Sequence, residues 1–138
     1  LRALGLDLGS VRIGVALSDP SGMIASPHSV IERAEDVDID HLAIATLVVE
    51  EGVECVVVGL PVSMNGSLGP AARAAKAEAA ALATVLAVPV ETFDERLTTV
   101  AADRLLLAGR VRGGARRRVV DKIAAAVMLQ GWLEARSR

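Results

Sequence analysis

Three acidic positions in this chain are placed where carboxylates could act together. Asp7 lies in the apolar run Leu4-Gly5-Leu6-Asp7-Leu8-Gly9. Strand alternation puts the three leucines on one face and leaves Asp7 nearly alone on the other. A carboxylate on so apolar a strand is costly to bury without a compensating group, and the neighbouring glycines leave room for a metal ion, a phosphate or a backbone. Asp94 and Glu95 follow Val90-Glu91-Thr92-Phe93, a strand-like segment whose carboxyl end is where open α/β sheets gather their sites. Asp121 shares a helical face with Ala124, Ala125 and Met128, small or slender residues that let a helix approach a sheet closely.

Acidic groups from a first strand, a later strand end and a last helix can converge at one sheet edge. Such hard oxygen donors suit Mg²⁺ or Mn²⁺ rather than zinc. No rival ligand set competes, because the only histidines are His28 and His41 and the only cysteine is Cys55. Blander readings exist for each carboxylate. Asp94 could cap a turn, and Glu95 and Asp121 could form surface ion pairs with Arg96 and Lys122. Asp7, in mid-strand, has the fewest alternatives. Ser10, Ser18 and Ser63 lack a well-placed histidine, which argues against a serine hydrolase.

These groups must be positioned by a compact α/β unit. Leu4–Leu8 and Arg12–Ser18 read as a hairpin joined by Gly9-Ser10-Val11. Asp19-Pro20-Ser21-Gly22 is a turn, and Met23–Ile31 returns as a third strand that Pro27 assigns to an edge. Asp38 or Asp40 can cap a helix ending at Gly52. Val53–Leu60 is apolar throughout and reads as a strand buried on both faces. A long loop from Pro61 to Gly69 leads to Pro70, a suitable first residue for an alanine-rich helix. Val88–Phe93 forms a further strand, Thr98 or Thr99 caps a third helix ending before Gly109, and a last helix runs from about Arg118 to Arg136. The order gives a mixed five-stranded sheet, its first three strands antiparallel and the rest parallel, flanked by helices. Residues 1–138 read as one domain, without internal repeat or linker.

The bulk properties agree. Hydrophobic residues make up 52% of the chain, yet Phe93 and Trp132 are its only aromatics, so the core must be aliphatic and alanine-rich. No apolar run approaches the ~20 residues that span a bilayer. Asp7 interrupts the one short apolar stretch near the start, which therefore does not read as a signal peptide. The lone Cys55 reads as a small core residue and fits a reducing, cytoplasmic setting. A net charge of −2 argues against a generally basic coat. Charge is uneven, however. Glu32 to Asp40 is acidic, reading as a solvated face with a helix cap, while Arg110 to Lys122 is basic and could steer a polyanion.

Four ordered segments carry a resemblance over nearly the whole chain. They are Gly5-Leu6-Asp7-Leu8-Gly9-Ser10-Val11-Arg12-Ile13-Gly14-Val15-Ala16-Leu17-Ser18-Asp19, then Gly59-Leu60-Pro61 with Met64-Asn65-Gly66 and Gly69-Pro70, then Asp94-Glu95-Arg96-Leu97-Thr98-Thr99, and finally Val120-Asp121-Lys122-Ile123-Ala124-Ala125 with Leu129-Gln130. Together they resemble the YqgF/RuvX family, Holliday-junction resolvases of RNase H-like fold also associated with maturing the 5′ end of precursor 16S rRNA. The resemblance implies that Asp7, Glu95 and Asp121 are catalytic and hold two divalent ions for phosphodiester hydrolysis of precursor rRNA or branched DNA. Relatives often carry an aromatic in the second helix that is absent from Ala71–Leu86, and arginine replaces the usual lysine before the last-helix aspartate.

Around this triad, Arg12 and Arg96 are candidate ligands of the scissile phosphate. Asn65 and Gly66 are candidates to face substrate. Arg112, Arg116 and Arg117, in a solvated loop beside Gly113-Gly114, could contact phosphates without reading sequence. A resolvase would favour a homodimer, whereas an rRNA nuclease can act as a monomer. An actin-like kinase fragment and a non-catalytic ribosome-assembly factor are the competing classes. The first needs two domains to enclose a nucleotide, and the second would bind nucleic acid without metal-dependent cutting.

Overall fold

The computed structural model describes residues 1–97 and 113–137. Five strands, β1 (Ala3–Leu8), β2 (Arg12–Ser18), β3 (Ala25–Glu32), β4 (Cys55–Leu60) and β5 (Val90–Asp94), form one sheet in the order β3-β2-β1-β4-β5. Pairing is antiparallel for β1 with β2 and β2 with β3, and parallel for β1 with β4 and β4 with β5. The mixed sheet expected from the sequence is therefore the one observed. The helix expected after Thr98 or Thr99 lies outside the described residues.

Two apolar layers sandwich the sheet. On one face Leu4, Leu6, Ile13, Val15, Val56 and Val58 pack against helices α1 (Val37–Glu50) and α2 (Pro70–Val85) through Ile44, Val48, Ala75, Ala79 and Leu82. Each fully buried leucine contributes about 2 kcal/mol. On the other face Ala3, Ala16, Cys55 and Val57 receive helix α3 (Gly113–Arg136) through Ala124, Ala125, Met128, Leu129 and Trp132. Strand β4 serves both layers, as its unbroken apolar run requires. Burial, then Glu91, pushes the Cys55 thiol up to about 11, so it behaves as a core residue.

The strand at the β3 edge accommodates Pro27 by a bulge. Val15 pairs with Ser29 but Ala16 pairs with Pro27, leaving His28 as the extra residue. Pro70 opens α2, and Gly52 follows α1 with φ +61°, a conformation that only glycine adopts readily.

Two boundaries differ from expectation. The cap of α1 is Asp36, whose side chain accepts from the Asp38 amide at 2.9 Å, while Asp40 is buried within the helix. Asp40 is held there by the Ala34 amide at 2.8 Å and by Arg33, so that part of the acidic run is interior rather than solvated. Helix α3 begins at Gly113, not near Arg118, so Arg116 and Arg117 are helical rather than in a loop. Two glycines cost a helix about 2 kcal/mol relative to alanine, but Ala115 and the three following arginines are strong helix formers.

Candidate functional site

Register sets the site. Asp7 on β1 pairs with Gly14 on β2, and Leu6 pairs with Val58, which brings Asp7 level with Gly59 on β4. Gly14, Asp7 and Gly59 thus form a row across three adjacent strands, with the only side chain at its centre. Leu6 points into the α1/α2 layer, so Asp7 points to the α3 side. The glycines make that side approachable. A Cβ on Gly14 would overlap the Asp121 carbonyl, and one on Gly5 would lie 2.9 Å from Leu129 Cβ. A Cβ on Gly59 would lie 2.6 Å from Glu95 Oε1 and 3.0 Å from Met128 Cγ. Asp121 therefore lies over one side of Asp7 and the Glu95 carboxylate over the other. Asp7, Glu95 and Asp121 are each partly buried.

Glu95 opens a short 3-10 turn, Glu95–Leu97, immediately after β5. Asp94 caps it, accepting from the Arg96 amide at 2.9 Å. The Arg96 guanidinium grips Asp94 through Nε at 3.1 and 3.0 Å and Nη2 at 2.6 Å. This grip holds the Asp94 carboxyl below its usual range. Arg96 also reaches the Met64 carbonyl at 3.4 Å, fastening the Pro61–Gly69 loop to the Glu95 turn. Within that loop Asn65 Oδ1 accepts from the Ser67 amide at 3.0 Å and hydroxyl at 2.7 Å, and Gly66 has φ +87°. Both Asn65 and Gly66 are exposed and shape a turn.

Asp121 pairs with Arg12 rather than Lys122, Arg12 Nε lying 3.0 Å from Asp121 Oδ2. Arg12 is only 19% exposed, so it is not the surface arginine of the simplest reading. Arg117 is exposed on the first turns of α3, its neighbour Arg118 pairs with Glu32 at 2.7 Å, and Arg112 lies outside the described residues.

A cleft of about 380 Å³ opens at this edge, lined by Asp7, Gly9, Ser10 and Asp121 together with Arg33 and Glu78. The last two were not singled out from the sequence. Arg33 donates to both Glu78 oxygens at 2.7 Å, to Asp40 at 3.2 Å and to the Gly9 carbonyl at 3.0 Å. His41 Nε2 lies 2.8 Å from the same glutamate. Burial pushes the Glu78 carboxyl up, but the hydrogen bonds from Arg33 and His41 outweigh it and leave a net downward shift. A signal was present. Glu78 falls at helical spacing between Ala75 and Leu82 on the buried stripe of α2, where a charge needs a partner.

The donors fit a hard divalent cation: carboxylate oxygens beside a strip of sheet that glycine keeps bare. Among the described residues no three Asp, Glu, His or Cys side chains already stand grouped for a metal ion, and Asp121 is drawn toward Arg12 instead. Among them, too, no helix is long and apolar enough to cross a membrane.

The chain matches known proteins in sequence and in fold. The model of the family described as RuvX, Holliday junction resolvase, matches residues 1–135. A protein of Moorella thermoacetica named "Putative pre-16S rRNA nuclease" is 49% identical over 134 residues, covering 97% of this chain and 95% of that protein. One of Mycobacterium leprae with the same name is 50% identical over 135 residues, covering 96% and 72%. Among solved structures, Thermus thermophilus RuvC bound to a Holliday junction superimposes with TM-score 0.62 at 17% identity, covering 99% of this chain and 96% of that one. A second Thermus thermophilus RuvC structure gives 0.59 at 16%, with the same coverage. At such identity the likeness concerns the fold, which is RNase H-like.

Proposed function

The chain belongs to the RuvX family of Holliday junction resolvases, and from that membership we propose a nuclease that hydrolyses phosphodiester bonds with Mg²⁺ or Mn²⁺ held by Asp7, Glu95 and Asp121. The observation that carries this reading is the row Gly14, Asp7, Gly59, with Asp121 over one end and the Glu95 carboxylate over the other. Divalent metal held there would supply activation of the attacking water and stabilisation of the leaving oxygen. Asp7, between the other two, would hold the metal together with Glu95 and Asp121. Arg12, paired here with Asp121, would be available to the scissile phosphate if Asp121 held a cation. Asn65 and Gly66 present a turn to the substrate strand, held to the catalytic side by Arg96. Arg112, next in sequence before α3, and Arg116 and Arg117 in its first turns dock phosphates.

The substrate favoured is precursor 16S rRNA, processed at its 5′ end, because the curated relatives at 49% and 50% identity carry that name. The family description supports branched DNA as the second reading. Residues 1–138 then work as one nuclease domain, as a monomer on rRNA or as a homodimer if two symmetric cuts are needed.

A cleavage panel tests this. Precursor rRNA fragments, four-way junctions and single strands are incubated with Mg²⁺, Mn²⁺ or chelator, using wild type and Asp7→Asn. The expected result is metal-dependent cutting of the rRNA fragment that Asp7→Asn abolishes while its fold is retained. Binding in chelator with no cutting under any metal would instead identify a non-catalytic assembly factor. Cutting confined to junctions would select the second substrate.

A further inference from the structure

We infer that Arg33 and Glu78 form a brace beneath the cleft that fixes the Gly9–Ser10 turn, and through it the strand end carrying Asp7; this deepens the nuclease reading and rests on it. Arg33 lies just beyond β3 and Glu78 on α2, 45 residues apart in sequence. Their side chains are 16% and 14% exposed, and Asp40 and His41 behind them are 3% and 5% exposed. Three separate elements therefore converge on one guanidinium. Its Nε proton is spent on the Gly9 carbonyl, two residues from Asp7.

The turn has little freedom of its own. The Gly9 amide donates to the Asp7 carbonyl at 3.1 Å and the Arg12 carbonyl at 3.0 Å, and a Cβ on Gly9 would stand 2.6 Å from that same Arg12 oxygen. The Arg33 amide donates to the Val11 carbonyl at 3.0 Å, so backbone and side chain of one residue grip both sides of the turn. Any shift of Gly9 displaces Asp7 and Arg12 together, and Arg12 in turn touches Asp121. Displacements near 1 Å at a reacting centre cost on the order of 100-fold in rate. Stability alone is a poor reason for this cluster, because well-packed apolar residues usually replace a buried ion pair without loss. Lysine cannot substitute, since only the planar fork of arginine reaches Gly9 and both Glu78 oxygens at once.

Three variants test the brace: Arg33→Lys, Glu78→Gln, and Asp7→Asn as reference. Each is measured for melting temperature, substrate affinity in Ca²⁺, single-turnover cleavage in saturating Mn²⁺, and amide hydrogen exchange at Gly9, Ser10 and Val11. Arg33→Lys is expected to slow cleavage about tenfold or more with affinity held within about twofold, and to speed exchange at those three amides. Glu78→Gln, which removes the ion pair but leaves Arg33 able to donate to Gly9, is expected to lower melting temperature with a smaller loss of rate than Arg33→Lys. Rate falling only in proportion to melting temperature in both Arg33→Lys and Glu78→Gln would overturn the brace and leave an ordinary structural pair. So would unaltered exchange at Gly9–Val11 in Arg33→Lys. If Asp7→Asn cleaves normally, the nuclease reading of the site fails on its own, and the hydrogen exchange still decides whether Arg33 holds the turn.

Discussion

Arg12 and Asp121 face each other across the cleft edge, Nε to Oδ2 at 3.0 Å, and this ion pair competes with any cation for the same carboxylate. Partly exposed pairs of this kind are worth up to about 1 kcal/mol. Arg12→Gln should therefore raise apparent Mn²⁺ affinity by up to about fivefold, read by calorimetric titration. If the released guanidinium holds a phosphate in the complex, the same variant should lower the slope of log affinity against log salt by about one unit. Unchanged metal affinity with an unchanged slope would make Arg12 a helix-docking residue only.

The glycine row gives two substitutions of opposite character. A methyl on Gly14 meets the Asp121 carbonyl, a backbone atom that cannot move without moving α3. Gly14→Ala should cost about 2–3 kcal/mol of stability, seen as a lower urea midpoint. A methyl on Gly59 meets the end of the Glu95 side chain, which can swing away, and Met128 at 3.0 Å. Gly59→Ala should cost about 1 kcal/mol or less while slowing cleavage at least tenfold by displacing Glu95. A Gly59→Ala enzyme with full activity would remove Glu95 from the ligand set.

That contrast also marks what sequence could and could not convey. Alternation alone assigned Leu4, Leu6 and Leu8 to one face and Asp7 to the other, and the continuous apolar run of β4 foretold burial on both sides. The element type of each segment that carries Asp7, Glu95 or Asp121 was legible in its own residues. Which partner each charge would take was not. Arg96 grips Asp94, two residues away, and Arg12 reaches Asp121, 109 residues away. Asp36 caps α1 because its side chain meets the Asp38 amide, whereas Asp38 and Asp40 lie two and four residues further into the helix. Arg33 and Glu78 come together only once β3, α1 and α2 are packed. Helix α3 starts at Gly113 because helix formers outweigh two glycines, a balance that residue-by-residue punctuation does not weigh.

Acid should destabilise the fold in two stages. The Glu78 carboxyl sits below its ordinary value of 4.5 in the folded state. Its contribution is present above that value and is lost as pH falls through the lower folded one. Asp19 accepts from the Ile24 amide, the Ser21 hydroxyl and the Met23 amide, which bring it from 3.8 to about 2. Its contribution fades later, between those two values. Urea midpoints measured from pH 7 to pH 2 should fall first below about 4.5 and again below about 3.8. Glu78→Gln should flatten the upper part of the curve and Asp19→Asn the lower. A midpoint that holds constant down to pH 3 would mean that neither carboxylate is stabilised by folding.

The start of α3 bears on nucleic-acid docking. Arg116 and Arg117 are presented by a helix rather than by a loop, so their spacing is fixed before substrate arrives. Preset cations lose less conformational freedom on binding than cations on a loop. Arg118 differs, because Glu32 at 2.7 Å already neutralises part of its charge. Changing Arg112, Arg116 and Arg117 to alanine together should weaken binding of every nucleic acid tested and reduce the salt slope by about two to three units. Arg118→Ala should reduce it by less than one. Alanine is a good helix former, so α3 itself should persist in both variants, which circular dichroism would verify. Single-turnover cleavage of fully bound substrate should stay within about twofold of wild type, because Asp7, Glu95 and Asp121 are untouched. The reverse outcome, with normal binding and slope but lost turnover, would make these arginines part of the reacting centre.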